Sequence, residues 1–390
     1  MSWAAVKLES IKADVRFSLV GGPFGSELTT KHYVEEGVPV IRGSNLLDDR
    51  CFHDQDFVFV REEKADQLFS NNAFPGDVVF TQRGTLGQVG IIPTNSTFPR
   101  YLISQSQMKL TVNPAKADPK FIYYYFRSPE TVQSIKNRAI TSGVPHINLG
   151  ILRGFEIPLP PLATQCSIVS TLSAYDDLIE NNRRRMALLE KAARLLYEEW
   201  FVRLRFPGYE HTVTSAVVPR GWERVPLEYV LMLQRGFDLP IQDRVDGAVP
   251  IYGSTGISGY HEKSKVEGPG IVTGRSGTLG EVHYVRGSFW PLNTALWVKE
   301  FRRVTPIFAL FLLRSIDLKQ FNGGASVPTL DRKSIHKVEV LVPPPALVTT
   351  FTEFANPLFD QIANLTSQNH SLKTARDLLL PRLTSGEIPV

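Results

Sequence analysis

Arg42, Ser44 and Asn45 surround Gly43, and Gln82, Arg83 and Thr85 surround Gly84. Farther along, Tyr252, Ser254 and Thr255 flank Gly253, while Arg275, Ser276 and Thr278 surround Gly277. The chemistry these residue types offer is recognition by hydrogen bonding. Arg pairs bidentately with guanine, Asn and Gln pair with adenine, and Ser and Thr suit bases or phosphates. Glycines beside them let backbone come close to a ligand. For Ser44, Ser254 and the glycines an ordinary turn is an equal explanation. Arg83 and Arg275 favour binding, because an arginine beside a tight turn in both places has little structural purpose. His146 suits DNA contact and local hydrogen bonding equally, and Arg183-Arg184-Arg185 reads as a solvated helical face.

Catalytic constellations are missing from the sequence. A phosphate-cradling loop needs Gly-x-x-x-x-Gly-Lys followed by Ser or Thr, and none occurs. Gly84-x-x-Gly87 and Gly277-x-x-Gly280 lie between strand-like runs rather than before a helix, so they read as hairpin turns. A base-flipping adenine methyltransferase needs an Asn/Asp-Pro-Pro-aromatic pocket. Asn356-Pro357-Leu358-Phe359 has one proline and is placed at the start of a helix. Glu62-Glu63-Lys64 has no Pro-Asp dipeptide upstream and reads as a solvated helical face. The eight histidines lack metal-ligand spacing. No catalytic residue and no metal ligand is therefore expected.

The elements that must carry these turns come in two copies. Trp3-x-x-Val6-x-Leu8 is echoed by Trp222-x-x-Val225-x-Leu227, and the Val38–Asn45 stretch by Val249–Thr255. Pro75–Gly87 parallels Pro269–Gly280, each a β-branched run entering a glycine turn with a second strand behind it. Asp118-Pro119 opens a helix expected over Lys120–Asn137, and Thr305-Pro306 opens one over Ile307–Phe321, a capping residue followed by proline in both. Then Val144-Pro145 and Val327-Pro328 lead to Glu156-Ile157-Pro158-Leu159-Pro160-Pro161 and Glu339-Val340-Leu341-Val342-Pro343-Pro344. Pro145 to Pro328, Glu156 to Glu339 and Pro161 to Pro344 are each 183 positions apart, whereas the earlier separations drift down from 219. Heads with different loop lengths, followed by arms that tolerate no insertion, explain this.

In the arms, Tyr175, Ile179, Asn182, Met186, Leu189, Ala193 and Leu196 alternate steps of four and three, and Leu358, Ile362, Leu365, Asn369, Leu372, Arg376 and Leu379 repeat the register. That is a heptad seam with a polar break in each copy. The expected fold is α+β: two α/β heads joined by two long helices packed as an antiparallel, pseudo-two-fold coiled coil. The divisions are 1–160, 161–206, 207–342 and 343–390. The Tyr175–Leu196 seam is about 32 Å long at about 1.5 Å per residue, close to one turn of B-DNA at about 34–36 Å. Antiparallel arms would set unlike heads one turn apart, over two unlike half-sites.

Composition places few limits. At 390 residues there is room for two or three domains, and a net charge of +4 permits nucleic acid without requiring it. Only Cys51 and Cys166 occur, no apolar run could span a bilayer, and the N-terminus lacks a signal-peptide layout, so a reducing cytoplasm is expected.

Glu156–Pro161 with Thr164-Gln165, the closing Leu378–Ile388, and two variable heads alternating with two helical regions together resemble the DNA-specificity (S) subunits of Type I restriction-modification enzymes over essentially the whole chain. The resemblance implies a non-catalytic subunit whose two target-recognition domains read the halves of a bipartite, asymmetric site. It implies arms that fix the spacer and dock two methyltransferase (M) subunits, which use S-adenosylmethionine to methylate adenine at N6, with ATP- and Mg-dependent motor-nuclease (R) subunits joining them. Double-stranded DNA and those subunits are the implied partners, no cofactor is bound by this chain, and no membrane is involved. The implied recognition loops are the Gly43-Ser44 and Arg83-Gly84 turns and their counterparts at Gly253-Ser254 and Ser276-Gly277. Ile179, Met186, Leu189, Leu196, Ile362, Leu365, Leu372 and Leu379 carry the seam and partner docking. Two departures stand out. The second arm lacks an equivalent of Gln165, which sets its docking apart, and Arg376 interrupts the seam, where a frayed end or a partner site is expected. The competing class is a coiled-coil scaffold with two protein-binding heads, separable by the steep salt dependence of DNA binding.

Overall fold

The computed structural model describes residues 3–212, 214–215, 218–324 and 326–390. By contacts the chain forms two compact units, one of residues 1–184 with 366–390 and one of residues 185–365. Each contains one head and a portion of both arm helices, Leu162–Tyr197 and Pro345–Thr384. The second arm helix begins well before Asn356, where the sequence placed its start, and passes through Pro357.

In the first unit a four-stranded antiparallel sheet has the spatial order Leu19–Gly21, Gln107–Leu110, Val78–Thr81, Val89–Ile91. Its apolar side chains Val78, Phe80, Met108 and Leu110 are buried with Phe121, Ile122 and Phe126 of the helix Pro119–Arg127, and with Ile168, Leu172, Leu380 and Leu383 of the arms. A second sheet contains Val38–Ile41 running parallel to Tyr101–Ile103. Ala5–Lys7 pairs with Glu156–Pro158, so the head's first and last strands lie side by side.

The second unit repeats this plan. Leu231–Arg235, Ala295–Phe301, Gly270–Gly274 and Val282–Val285 stand in the same order, Val249–Gly253 runs parallel to Trp290–Pro291, and Glu223–Pro226 pairs with Glu339–Val342. The second sheet has five strands in the first unit and three in the second, the extra chain that makes the sequence separations drift. The core of the second unit is strongly aromatic, with Tyr197, Trp200, Phe201, Phe308, Phe311 and Phe351 packed together.

Two expected helices are broken. Asp118 caps the first, its carboxylate accepting from Lys120 N at 2.7 Å, but the helix stops at Arg127. Ser128 adopts extended backbone ahead of Pro129, as a residue before proline prefers, and caps a separate helix Pro129–Asn137. The Thr305-capped helix Pro306–Ser315 likewise ends before a short turn, Leu318–Phe321, capped by Asp317.

The seam lies where the heptads put it. Ile179 and Leu365 are buried, Met186, Leu189, Leu196, Ile362, Leu372 and Leu379 are half-buried, and the neighbouring Leu178, Leu188, Leu195 and Leu378 are exposed. Within the first unit the arms run antiparallel: Asp176 meets Arg376, and six residues on, Asn182 meets Asn369 through an amide hydrogen bond of 2.9 Å. Antiparallel pairing thus matches one polar break to the other.

Arg376 corrects an expectation. It is neither frayed nor presented outward, but buried at 2% exposure with its guanidinium on Asp176 and Asp377. Gln165 is a second correction. It is buried, accepting from Asp118 N and donating to Pro160 O, both at 2.8 Å, so it fastens arm to head and offers nothing to a docking partner. The second unit makes the corresponding link one turn later, between the hydroxyls of Thr305 and Thr352 at 2.7 Å.

Candidate recognition surface

In the first head, the order and directions of the four strands bring the loops after Gly21, after Thr81 and before Gln107 to one end of the sheet. Ser104 N donates to Ile41 O at 3.0 Å, which carries the Arg42–Asn45 turn to the same end. The two turns singled out in the sequence consequently line one groove of about 430 Å³, walled by Gly43, Ser44, Arg83, Thr85, Gln88 and Gln107. The Arg83 turn is held from behind. Gln82 N and Arg83 N both donate to Ser106 O, at 2.7 and 3.4 Å, and Ile147 N donates to Gln82 O at 3.0 Å. Its turn needs left-handed backbone at Gly84 and Gly87, with φ of +101° and +92°, which glycine adopts without a side-chain clash.

Ser44, Arg83 and Thr85 are exposed, while Gln82 and Arg42 are half-buried. The Arg42 guanidinium donates to Asp56 O at 3.2 Å. Asn45 does not belong to the surface: it is 0% exposed, accepts from Arg42 N at 2.9 Å and donates to His53 O and Gln55 O, each at 3.0 Å. Its amide is spent on shaping the turn. The His146 ring bonds Val144 O at 3.1 Å, and its backbone bridges Arg83 and Ile140, which is the local hydrogen-bonding role. Arg183 is not simply solvated, since it donates to Asp49 O and to the Asp49 carboxylate at 2.9 Å. Burial works to raise the Asp49 carboxyl, but its Arg50 hydrogen bond and the Arg183 charge outweigh this and hold it below its ordinary value. Gln88, Ser106 and Gln107 were not anticipated. They sit in or beside strands, where residue type alone does not distinguish a groove wall from a core amide.

The second head rebuilds the same turn with other side chains. Arg275 N and Ser276 N donate to Thr294 O at 2.9 and 3.1 Å, and Leu330 N donates to Arg275 O at 2.8 Å. Arg275 therefore occupies the place of Gln82, and Ser276 that of Arg83; the two arginines are not counterparts. Arg83 is exposed and its guanidinium has no hydrogen bond or ion pair among the described residues, whereas Arg275 is half-buried and donates to Asn293 O at 3.1 Å. Ser254 approaches Gly277, its Oγ 3.7 Å from where a Cβ would stand, so the two turns adjoin here also. Thr255 and Thr278 are exposed. Tyr252 is a core residue at 9% exposure, edge-on to Phe289 at 6.0 Å, which corrects its assignment to the surface.

Among the described residues no cluster of His, Cys, Asp and Glu could hold a metal ion, and no helix is long and apolar enough to cross a membrane. What the two sheet ends provide is exposed hydrogen-bonding side chains on turns fixed by backbone bonds, an arrangement suited to reading a polar edge.

Residues 26–191 match the family model described as the Type I restriction modification DNA specificity domain. The chain is 27% identical over 368 residues to the specificity subunit of the Type I restriction enzyme MjaIX of Methanocaldococcus jannaschii, covering 84% of this chain and 81% of the relative. It is 21% identical over 401 residues to the HindI specificity subunit of Haemophilus influenzae, covering 80% of this chain and 86% of that one. The fold is similar to the crystal structure of the S subunit of a Type I restriction-modification system from M. genitalium, with a TM-score of 0.56 and 19% identity over 98% of this chain and 96% of the other. Two heads of one topology, each closed by its own terminal ladder and followed by a heptad arm, agree with these likenesses to the specificity subunits of Type I restriction-modification systems.

Proposed function

We propose that this chain is the sequence-reading component of a Type I restriction-modification complex, each head reading one half of a bipartite, asymmetric DNA site and the arms setting the spacer. The observation that carries this is one turn architecture built twice with unlike side chains. Gln82-Arg83 and Arg275-Ser276 hang from equivalent carbonyls, those of Ser106 and Thr294. A shared frame with different readers is what two unlike half-sites demand. The chain itself does no chemistry in this reading. Two M subunits carry S-adenosylmethionine and methylate adenine at N6, and R subunits use ATP and Mg. Because the seam is occupied by the helices themselves, the exposed Leu178, Leu188, Leu195 and Leu378 are the apolar groups offered to those partners.

The test is methylation mapping of DNA from cells carrying this chain with its partner subunits, wild type or Arg83→Ala. One bipartite motif is expected for the wild type, with relaxation confined to one half in the variant. Equal weakening of both halves would assign Arg83 to phosphate contact, and methyl transfer by the purified chain alone would overturn the non-catalytic assignment. The protein-scaffold reading has no observation in its favour.

A further inference from the structure

The groove of the first head is biased in its hydrogen-bonding sense. Thr81 Oγ1 donates to Gln88 Oε1 at 3.3 Å, and Ser104 Oγ donates to Gln107 Oε1. In both glutamines a hydroxyl engages the carbonyl end and the amino end, which can only donate, is left over. Gln107 is 0% exposed and its Nε2 has no partner, so a buried donor stands without an acceptor. Such a vacancy is costly and is normally explained by something that fills it. This Nε2 lies 4.0 Å from the point where a Cβ on Gly43 would stand, and Gln88 Oε1, which already accepts from Thr81, lies 3.4 Å from the same point. Arg83, on the facing turn, adds a guanidinium with no acceptor among the described residues. No carboxylate lines the groove.

We infer that this groove selects guanine, with Arg83 and Gln107 as its specificity-determining residues; the inference rests on the reading of the head as a DNA-binding surface. In the major groove guanine presents two adjacent acceptors, N7 and O6, and no donor. Adenine pairs an acceptor with an amino donor, cytosine presents an amino donor, and thymine offers one acceptor beside a methyl group. The unpaired donors of Arg83 and Gln107 are together satisfied in full by guanine alone, and they meet an amino group on adenine and on cytosine. The Arg83 guanidinium spans N7 and O6, and the Gln107 amino group, reached over Gly43, supplies the acceptor-seeking floor.

The experiment uses the complex of this chain with its M subunits and a duplex carrying the mapped motif. Each guanine is replaced in turn by 7-deazaguanine, which keeps Watson–Crick pairing and loses N7. With the unaltered protein, one guanine in the half-site relaxed by Arg83→Ala should respond with binding about tenfold to a hundredfold weaker, the range of one bidentate contact. Gln107→Glu keeps the shape and turns the groove-facing donor into an acceptor; it should lower discrimination for that guanine by a similar factor and leave the other half-site unchanged. Gln107→Met, which fills the same space without a donor, should act in the same direction. The inference is overturned if the half-site relaxed by Arg83→Ala contains no guanine, if every 7-deaza substitution there is silent, or if both Gln107 variants discriminate like the wild type. In those cases DNA reading by the head survives. If no base of either half-site responds to Arg83→Ala, Arg83 is no base reader and the underlying assignment of this groove fails as well.

Discussion

Asp176 fastens the first head to both arm helices, and removing it should show how much of the unit depends on one carboxylate. Its Oδ2 accepts from Tyr124 OH at 2.7 Å and from the Cys51 thiol at 3.7 Å, while Oδ1 accepts from the Arg376 guanidinium. The ion pair is shielded, with side-chain exposures of 3% for Arg376 and 13% for Asp176. Deleting one member of a buried pair typically costs about 3–5 kcal/mol because the other is left charged without its partner. Asp377 still holds the guanidinium at 2.7 Å, which argues for the lower end. The orphaned Tyr124 hydroxyl adds about 1 kcal/mol, so Asp176→Ala should destabilise the unit by about 3–4 kcal/mol. Replacing both charges by apolar groups, Asp176→Leu with Arg376→Met, strands no ion and should return to within about 1 kcal/mol of wild type. The coupling between the sites is then about 3 kcal/mol. Hydrogen exchange resolved by peptide is the suitable assay, with residues 119–127 as reporter and the second unit as internal control, because Trp200, Trp222, Trp290 and Trp297 all lie in the second unit and bias fluorescence toward it. Strictly additive losses in the double variant would refute the reasoning, as would loss of protection confined to residues near 376.

Asn182→Leu should cost about 1–3 kcal/mol by leaving the half-buried Asn369 amide unmatched, and adding Asn369→Leu should recover the loss; urea midpoints of the three variants check this. Thiol alkylation near neutral pH should label the exposed Cys166 and spare Cys51, whose thiol burial and the Asp176 charge push up to about 11, as read by peptide mass mapping. Acid should loosen the second unit selectively. Burial depresses both His283 and His336, and His336 Nε2 must stay unprotonated to accept from Leu233 N at 3.0 Å. The unfolded chain therefore binds protons first, so stability is full above the ordinary value of 6.5 and falls as pH drops below it. His336→Gln should flatten part of that dependence in pH-resolved exchange of the second unit.

The arms were legible because a fixed 183-residue separation and a heptad period leave little freedom, and the buried and half-buried seam residues follow that period. The helix starts at Asp118-Pro119 and Thr305-Pro306 were equally plain, since capping is local chemistry. The same signal at Ser128-Pro129 lies inside a run whose composition is otherwise that of one continuous helix. The candidate surface was legible only in outline. Glycine placed the turns, but direction decides whether a polar side chain faces groove or scaffold, and direction depends on tertiary partners: Asn45 turned inward while Gln107, a strand residue, ended under the groove. Arg83 and Arg275 were matched by residue type, although the turn that holds them sets Arg275 opposite Gln82. Gln165 and Arg376 looked like departures because their partners, Asp118 and Asp176, are distant in sequence.

Each head begins and ends on neighbouring strands, Ala5–Lys7 beside Glu156–Pro158 and Glu223–Pro226 beside Glu339–Val342. Everything between is a loop of chain whose two ends enter and leave through one doorway. Such a cassette can lengthen, shorten or be exchanged wholesale without altering where the following helix starts, so a head can diverge in sequence while the register of the two long helices stays untouched.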